Sequence, residues 1–324
     1  MAVELVEDLR GQKGAVKTFA VKLVVFLLVL LAADRVLAWA LKSGVDKYFG
    51  LDRPAEVLLV GNSHTVLGVD KVGLGSRLGM QVAKYARQGA NLRDRLAMIR
   101  QYIHKHPDAV KTIVYDVDAH IFTTKGLSGN SYRLFYPFMD NPVVKAHILK
   151  AKPDWGEIFL RSALKTSRFS EVTLGLSVRG HLGKWTNLKS GTLNTARLKQ
   201  DIKNGNFRRI SFDPKARELF DKTLEYVQDR GITLVLAYIP TVDLYNQAEP
   251  EKYEKSINLL KKAAAQYPNT YFVNYNPKLA DRHDIFYDRF HMNPKGQKLV
   301  TSLLAEDILK LSNQRISQGT ATTP

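Results

Sequence analysis

The sequence predicts an α/β domain built on a parallel sheet and carried behind one membrane-spanning helix. Two features predict this. Five short apolar runs alternate with helical patterns over most of the chain, and one long uncharged stretch lies near the N-terminus. Parallel strands buried on both faces read as continuous apolar runs and require helical crossovers. At 324 residues, with 45% hydrophobic content, the chain can bury one substantial core. It has no cysteine, which excludes disulfides, thiolate catalysis and cysteine-ligated metals. The formal charge of +17 and pI near 9.8 suggest an anionic partner or surface.

The first element is the membrane span, expected at 18–40 after a cytoplasmic N-terminus at 1–17. Residues 23–33 carry no charge, and the apolar character resumes from Val36 to Ala40, which is enough helix to cross a bilayer. Arg10, Lys13, Lys17 and Lys22 precede or enter this stretch and favour a cytoplasmic N-terminus. Asp34 and Arg35 then lie near the opposite interface, with Trp39 as an interfacial anchor. Two other readings compete: a signal peptide cleaved at Ala38-Trp39-Ala40, and a soluble helix interrupted by Asp34 and Arg35. The anchor reading makes this a single-pass protein of the cell's inner, cytoplasmic membrane, with its 41–311 domain extracytoplasmic.

The strands of that domain are expected at 56–60, 81–85, 112–117, 233–239 and 270–274. Helices are expected at 92–105, 214–229, 251–266 and 294–311. The last is the best marked. Asn293 suits the N-cap, Pro294 suits the first helical position, and Leu299, Val300, Leu303, Leu304, Ile308 and Leu311 form one apolar stripe. The tail at 312–324 is polar and aperiodic, and is expected to be disordered. Between Asp118 and Phe212 the strand–helix alternation lapses, so an insertion is expected at about 121–212. Residues 141–210 hold 14 Lys or Arg against 4 Asp or Glu. This basic insertion reads either as a lid or platform for a large acidic ligand, or as a solvated helical face.

Chemistry concentrates in two short blocks. Gly61-Asn62-Ser63-His64 follows the first apolar run, placing Ser63 where a buried strand ends, and in parallel sheets the site collects beyond the carboxyl ends of strands. Asp288-Arg289-Phe290-His291 enters the final helix. A serine hydroxyl needs a base, and the base needs an orienting acid. Ser63, His291 and Asp288 can fill those roles. Oxyanion donors are expected from the Ser63 backbone and from Gly89, where glycine allows close approach.

Plainer readings exist for each residue. Ser63 alone would suit a helix N-cap. Asp288 and His291 alone would suit a capping acid and a surface histidine, and His64 a loop or substrate contact. His283, Asp284, Asp288 and His291 together are an alternative metal set, although no metal or cofactor is expected. Gly73, Gly75 and Gly79 are misspaced for a dinucleotide loop and read as a turn.

The blocks resemble those of the SGNH (GDSL-type) hydrolase and acyltransferase superfamily, over roughly residues 56–308 in strand order. Gly61-Asn62-Ser63-His64 is similar to its nucleophile block, with Asn62 in place of the usual aspartate. Asp288 to Gly296 is similar to its closing acid–base block, and Gly89 stands at the position of its oxyanion glycine. The resemblance implies five parallel strands in flavodoxin-like order. It also implies serine esterase or O-acyltransferase activity on acyl esters, in membrane-anchored members on acetylated envelope or exported polysaccharide. The implied partners are an anionic glycan or envelope polymer and a multi-spanning membrane acyltransferase; no nucleic acid is implied. The pattern departs at the third block. Asp118 stands near the expected oxyanion asparagine, and an ionised carboxylate repels an oxyanion. Asn91 is the candidate replacement donor. The alternative function that follows from this departure is a catalytically idle scaffold binding an envelope polymer or an acyltransferase.

Overall fold

The computed structural model describes the backbone of residues 2–124 and 129–320, and the side chains of 16–124 and 129–313. The expected cytoplasmic side chains up to residue 15 and the end of the tail, 321–324, lie outside the described residues.

All five strands form where the apolar runs predict them. β1 (Val57–Gly61), β2 (Val82–Ala86), β3 (Thr112–Val117), β4 (Thr233–Tyr238) and β5 (Thr270–Asn274) make one parallel sheet in the order β2-β1-β3-β4-β5. This is the flavodoxin-like order. The bounds differ from expectation by a residue, because the ladder begins at Val57 and Val82.

Helices α1 (Ala2–Phe49), α2 (Ser63–Gly68), α3 (Lys71–Leu78) and α4 (Leu92–Lys105) interleave with β1 to β3. In the insertion come α5 (Pro142–Lys150), α6 (Trp155–Ala163), α7 (Glu171–His181) and α8 (Thr195–Lys203). The series closes with α9 (Pro214–Gln228), α10 (Asp243–Asn246), α11 (Pro250–Ala265), α12 (Asn276–Leu279) and α13 (Pro294–Thr320). Capping explains several starts. Asn91 and Asp94 form a reciprocal capping box on α4, and Asp213 caps α9 ahead of Pro214.

Successive strand residues point to opposite faces, and the core divides accordingly. Leu58, Val60, Ile113, Tyr115, Leu234 and Leu236 pack with α4, α5, α9, α11 and the end of α1. Val57, Leu59, Val114, Val235 and Ala237 pack with α3, α12 and α13. Both faces are covered, which is why β1 and β4 are buried along their whole length, whereas the edge strand β5 is mostly half-buried.

Three features go beyond the expectations. The N-terminal helix does not stop near residue 40; α1 runs to Phe49, whose ring is fully buried in the domain core with Val45. The same helix therefore runs from the long apolar stretch into the domain core. The basic insertion packs onto the domain: α7 lies along α1, and Ile158 of α6 and Val144 and Ile148 of α5 enter the core. Finally, α13 continues to Thr320, so the backbone of 312–320 is helical where an irregular tail was expected. Apolar periodicity ends at Leu311, but Gln, Arg and Ile beyond it are compatible with further turns.

Candidate functional site: a Ser–His–Asp array at the sheet edge

The site is assembled at the carboxyl end of β1. Gly61 closes the strand where any Cβ would collide with Thr65 and Asp116, so only glycine lets the chain turn there. Asn62 then caps α2, its side chain accepting the His64 N–H at 2.8 Å and its own N–H reaching Asp116 Oδ2 at 3.4 Å. Ser63 becomes the first residue of α2, at the helix end where backbone N–H groups have no intrahelical acceptor. The other end of α2 is held by Lys84. Its ammonium group donates to the carbonyls of Val66 (2.8 Å) and Val69 (2.6 Å).

The partner block folds on itself before α13. Asp288 Oδ1 accepts the backbone N–H groups of Phe290 (2.9 Å) and His291 (3.0 Å), while Tyr287 N–H donates to the His291 carbonyl at 2.8 Å. This turn fixes the imidazole. Nδ1 of His291 lies 2.9 Å from both Asp288 oxygens, and Nε2 lies 2.8 Å from Ser63 Oγ. The carboxylate selects the Nδ1–H tautomer, leaving Nε2 as acceptor for the serine proton. Burial works against the Asp288 charge, but the His291 contact and the two backbone donors hold its pKa below the usual carboxylate value. Asn293 locks the block to α13 by accepting from Lys295 and Gly296, as the expected N-cap does.

Thus the structure brings together Ser63, His291 and Asp288 across 228 residues of sequence. The oxyanion candidates fare differently. Gly89 sits in the turn after β2 at φ +77°, a conformation that favours glycine, and Arg87 N–H donates to Gly61 O, which ties this turn beside the end of β1. Asn91 is occupied structurally: its oxygen caps α4 through Asp94 N–H and its amide nitrogen donates to Ser131 Oγ at 2.9 Å.

Asp118 is not aimed into open space. Its Oδ1 accepts His120 N–H at 2.7 Å, and its Oδ2 lies 3.4 Å from His64 Nδ1. Burial raises its pKa, yet His64, His120, Arg95 and Arg208 together keep it below the ordinary value. Burial pushes His64 down to about 4, so a neutral ring lies beside this carboxylate. The expectation that His64 is a loop or substrate contact is corrected. It is buried, edge-on to His291 at 5.8 Å between ring centroids, and stacked on Phe290. Beside it, burial pushes Asp116 up to about 7 against the opposing Arg95 guanidinium. This buried His64–Asp116–Asp118–Arg95 cluster is what sequence reasoning missed. The signal was present in the Asp116-Val117-Asp118 spacing, but its contact with His64 is set by strand pairing.

The alternative metal set is drawn apart: His283 pairs with Asp243 at 2.7 Å and Asp284 with Arg282. Among the described residues no group of three or more His, Asp or Glu is arranged to hold a metal ion. Gly73 and Gly75 lie within α3, which Asp70 caps, and Gly79 ends it at φ +66°. A cavity of about 320 Å³ lies next to the nucleophile turn, lined by Asn62, Ala90, Asn91, Asp118, His120 and Arg208 among others, though not by Ser63, His291 or Asp288 themselves. Its size lies in the range of small-ligand sites.

No family model and no curated protein matches the chain. Solved structures similar to it include a carbohydrate esterase family 2 enzyme with a carbohydrate-binding domain from Corynascus thermopiles (11% identity, TM-score 0.43). That match covers 79% of this chain and 66% of the esterase. The lipase/acylhydrolase from Enterococcus faecalis matches at 10% identity and TM-score 0.39, over 78% of this chain and 94% of its own. A Desulfitobacterium hafniense protein assigned to the lipolytic G-D-S-L family matches at 11% identity and TM-score 0.38, over 77% and 97%.

Proposed function

We propose that this chain is a membrane-anchored SGNH-like serine esterase or O-acyltransferase. The observation that carries the proposal is the unbroken contact chain from Ser63 Oγ through His291 to Asp288. Serine attacks an acyl ester carbonyl as His291 Nε2 takes its proton, and Asp288 steadies the resulting imidazolium. Backbone N–H groups of Ser63 and Gly89 are the oxyanion donors in this reading. The intermediate collapses as His291 returns the proton to the departing alcohol, leaving acyl-Ser63. Water or a sugar hydroxyl then attacks that ester, with His291 as base again, to complete hydrolysis or transfer.

One N-terminal helix is long and apolar enough to span a membrane. Lys17 and Lys22 at its start, with Arg10 and Lys13 before them, support a cytoplasmic N-terminus and an extracytoplasmic domain. The basic balance of the insertion supports an anionic envelope or exported glycan as the substrate, with acetyl as the acyl group in this reading. A multi-spanning acyltransferase would be the donor side of a transfer reaction.

The test uses the full chain in detergent, incubated with p-nitrophenyl acetate and separately with a fluorophosphonate probe. Turnover and labelling that vanish in both Ser63→Ala and His291→Ala support the proposal. A folded wild-type protein that neither turns over nor labels supports the idle scaffold instead.

A further inference from the structure

We infer that the α6–α7 part of the insertion is a membrane-seated shoulder, its exposed apolar face lying in the interfacial layer of the same bilayer that α1 crosses. The inference rests on the anchor reading of α1. Helix α7 is inside-out for a water-soluble surface helix. Thr173, Ser177 and Gly180 are buried, whereas Leu174, Val178 and Leu182, four residues apart, face outward. In water the apolar stripe of such a helix turns to the core. In lipid, small residues make the helix contact and apolar ones face out. The contact has that character: Gly44 of α1 abuts Ser177, and Gly180 abuts the Gly44 carbonyl so closely that neither glycine has room for a Cβ.

The shoulder is pinned at a defined level of α1. Asp34 accepts the backbone N–H groups of Lys165 (2.8 Å) and Thr166 (2.9 Å) and the Thr166 hydroxyl (2.5 Å). Arg35 donates twice to the Ala163 carbonyl at 3.1 Å. The only two charges after Lys22 in the apolar part of α1 are therefore satisfied by the turn between α6 and α7. That turn sits within about a helical turn of Val36 and Trp39, which are themselves exposed. Helix α6 adds Trp155 and Phe159, one turn apart and 76% and 75% exposed. Aromatic residues at this level are the usual interfacial anchors.

The test reconstitutes the full chain into phosphatidylcholine–phosphatidylglycerol vesicles with brominated or ordinary acyl chains. Two single-tryptophan variants are compared. One retains Trp39 (W155F with W185F), and one retains Trp155 (W39F with W185F). Loss of emission from both tryptophans in brominated vesicles, with little quenching by aqueous iodide, is the expected result. Lipid quenching of Trp39 while iodide alone quenches Trp155 overturns the shoulder but keeps the anchor. Trp155 protected from both quenchers, with Trp39 lipid-quenched, also overturns it, because protein then covers that face. If Trp39 itself escapes lipid quenching, the anchor reading fails first.

Discussion

His64 Nδ1 stands 3.4 Å from Asp118 Oδ2, behind the contact between Ser63 and His291. The carboxylate that sequence reasoning set against an oxyanion accepts the His120 N–H and lies beside a buried neutral imidazole. Its charge is directed inward, at the support of the nucleophile turn.

Asp118→Asn keeps an acceptor for the His120 N–H and is expected to change p-nitrophenyl acetate turnover by less than about tenfold. Asp118→Ala strands the buried His120 N–H and should lower unfolding free energy by about 1–3 kcal/mol. Denaturant titration and turnover check both. A large rate gain in Asp118→Asn would mean that the carboxylate opposes the oxyanion after all.

Ser63→Ala and His291→Ala are each expected to lower kcat by about 10⁴-fold or more, with no additive loss in the double variant. Asp288→Asn should cost on the order of 10³–10⁴-fold, since it removes the charge that selects the His291 tautomer. Thermal melts of all three should stay near wild type. Equal activity of Asp288→Asn and wild type would remove Asp288 from the array.

Gly61→Ala inserts a methyl group between Thr65 and Asp116. The expected cost is about 1–3 kcal/mol of stability, together with loss of fluorophosphonate labelling as Ser63 is displaced. Retained labelling at wild-type stability would show that the turn has slack.

Lys84 gives a pH signature. Burial lowers its pKa from 10.5 to about 7. Between those values the unfolded chain binds a proton that the folded chain does not, so this residue makes stability rise with pH from about 7 to about 10. Lys84→Met should flatten that rise by roughly 1–3 kcal/mol, measured as unfolding free energy in urea at pH 7 and pH 9.5. An unchanged slope would show that Lys84 stays charged in the fold.

Asp34→Ala removes the acceptor for Lys165 and Thr166. Backbone hydrogen exchange across residues 163–181 should speed up, while the strands keep their protection. Unaltered exchange there would mean that the α6–α7 turn holds without α1.

Much of the fold was legible in the chain. The five strands lie within a residue of their apolar runs, and α4 has the bounds that its pattern predicts, because a buried parallel strand and an amphipathic helix impose strong local periods. Ser63, His291 and Asp288 were legible as well, since their blocks carry strand-end, turn and N-cap chemistry that is local. The mate of Asp118 was not legible. Strand pairing of β1 with β3 brings His64 to it, and no local period encodes which carboxylate meets which imidazole. Nor was the role of Asn91, whose amide is taken by Ser131 forty residues on.

The insertion shows the same division. Its composition announced charge, but α7 exposes leucine and valine and buries threonine, serine and glycine, the reverse of the pattern that marks a soluble helix. Only its packing on α1 reveals that order. By itself, then, the sequence determined the strands, the long apolar helix and the candidate Ser–His–Asp residues, because each follows from short-range geometry and side-chain chemistry. The tertiary structure decided that α1 is continuous with the core, that Asp34 and Arg35 tie it to the insertion, and that Asp118 turns toward His64. Each of those depends on contacts between segments far apart in the chain, whose partners are selected by the shape and burial of the whole.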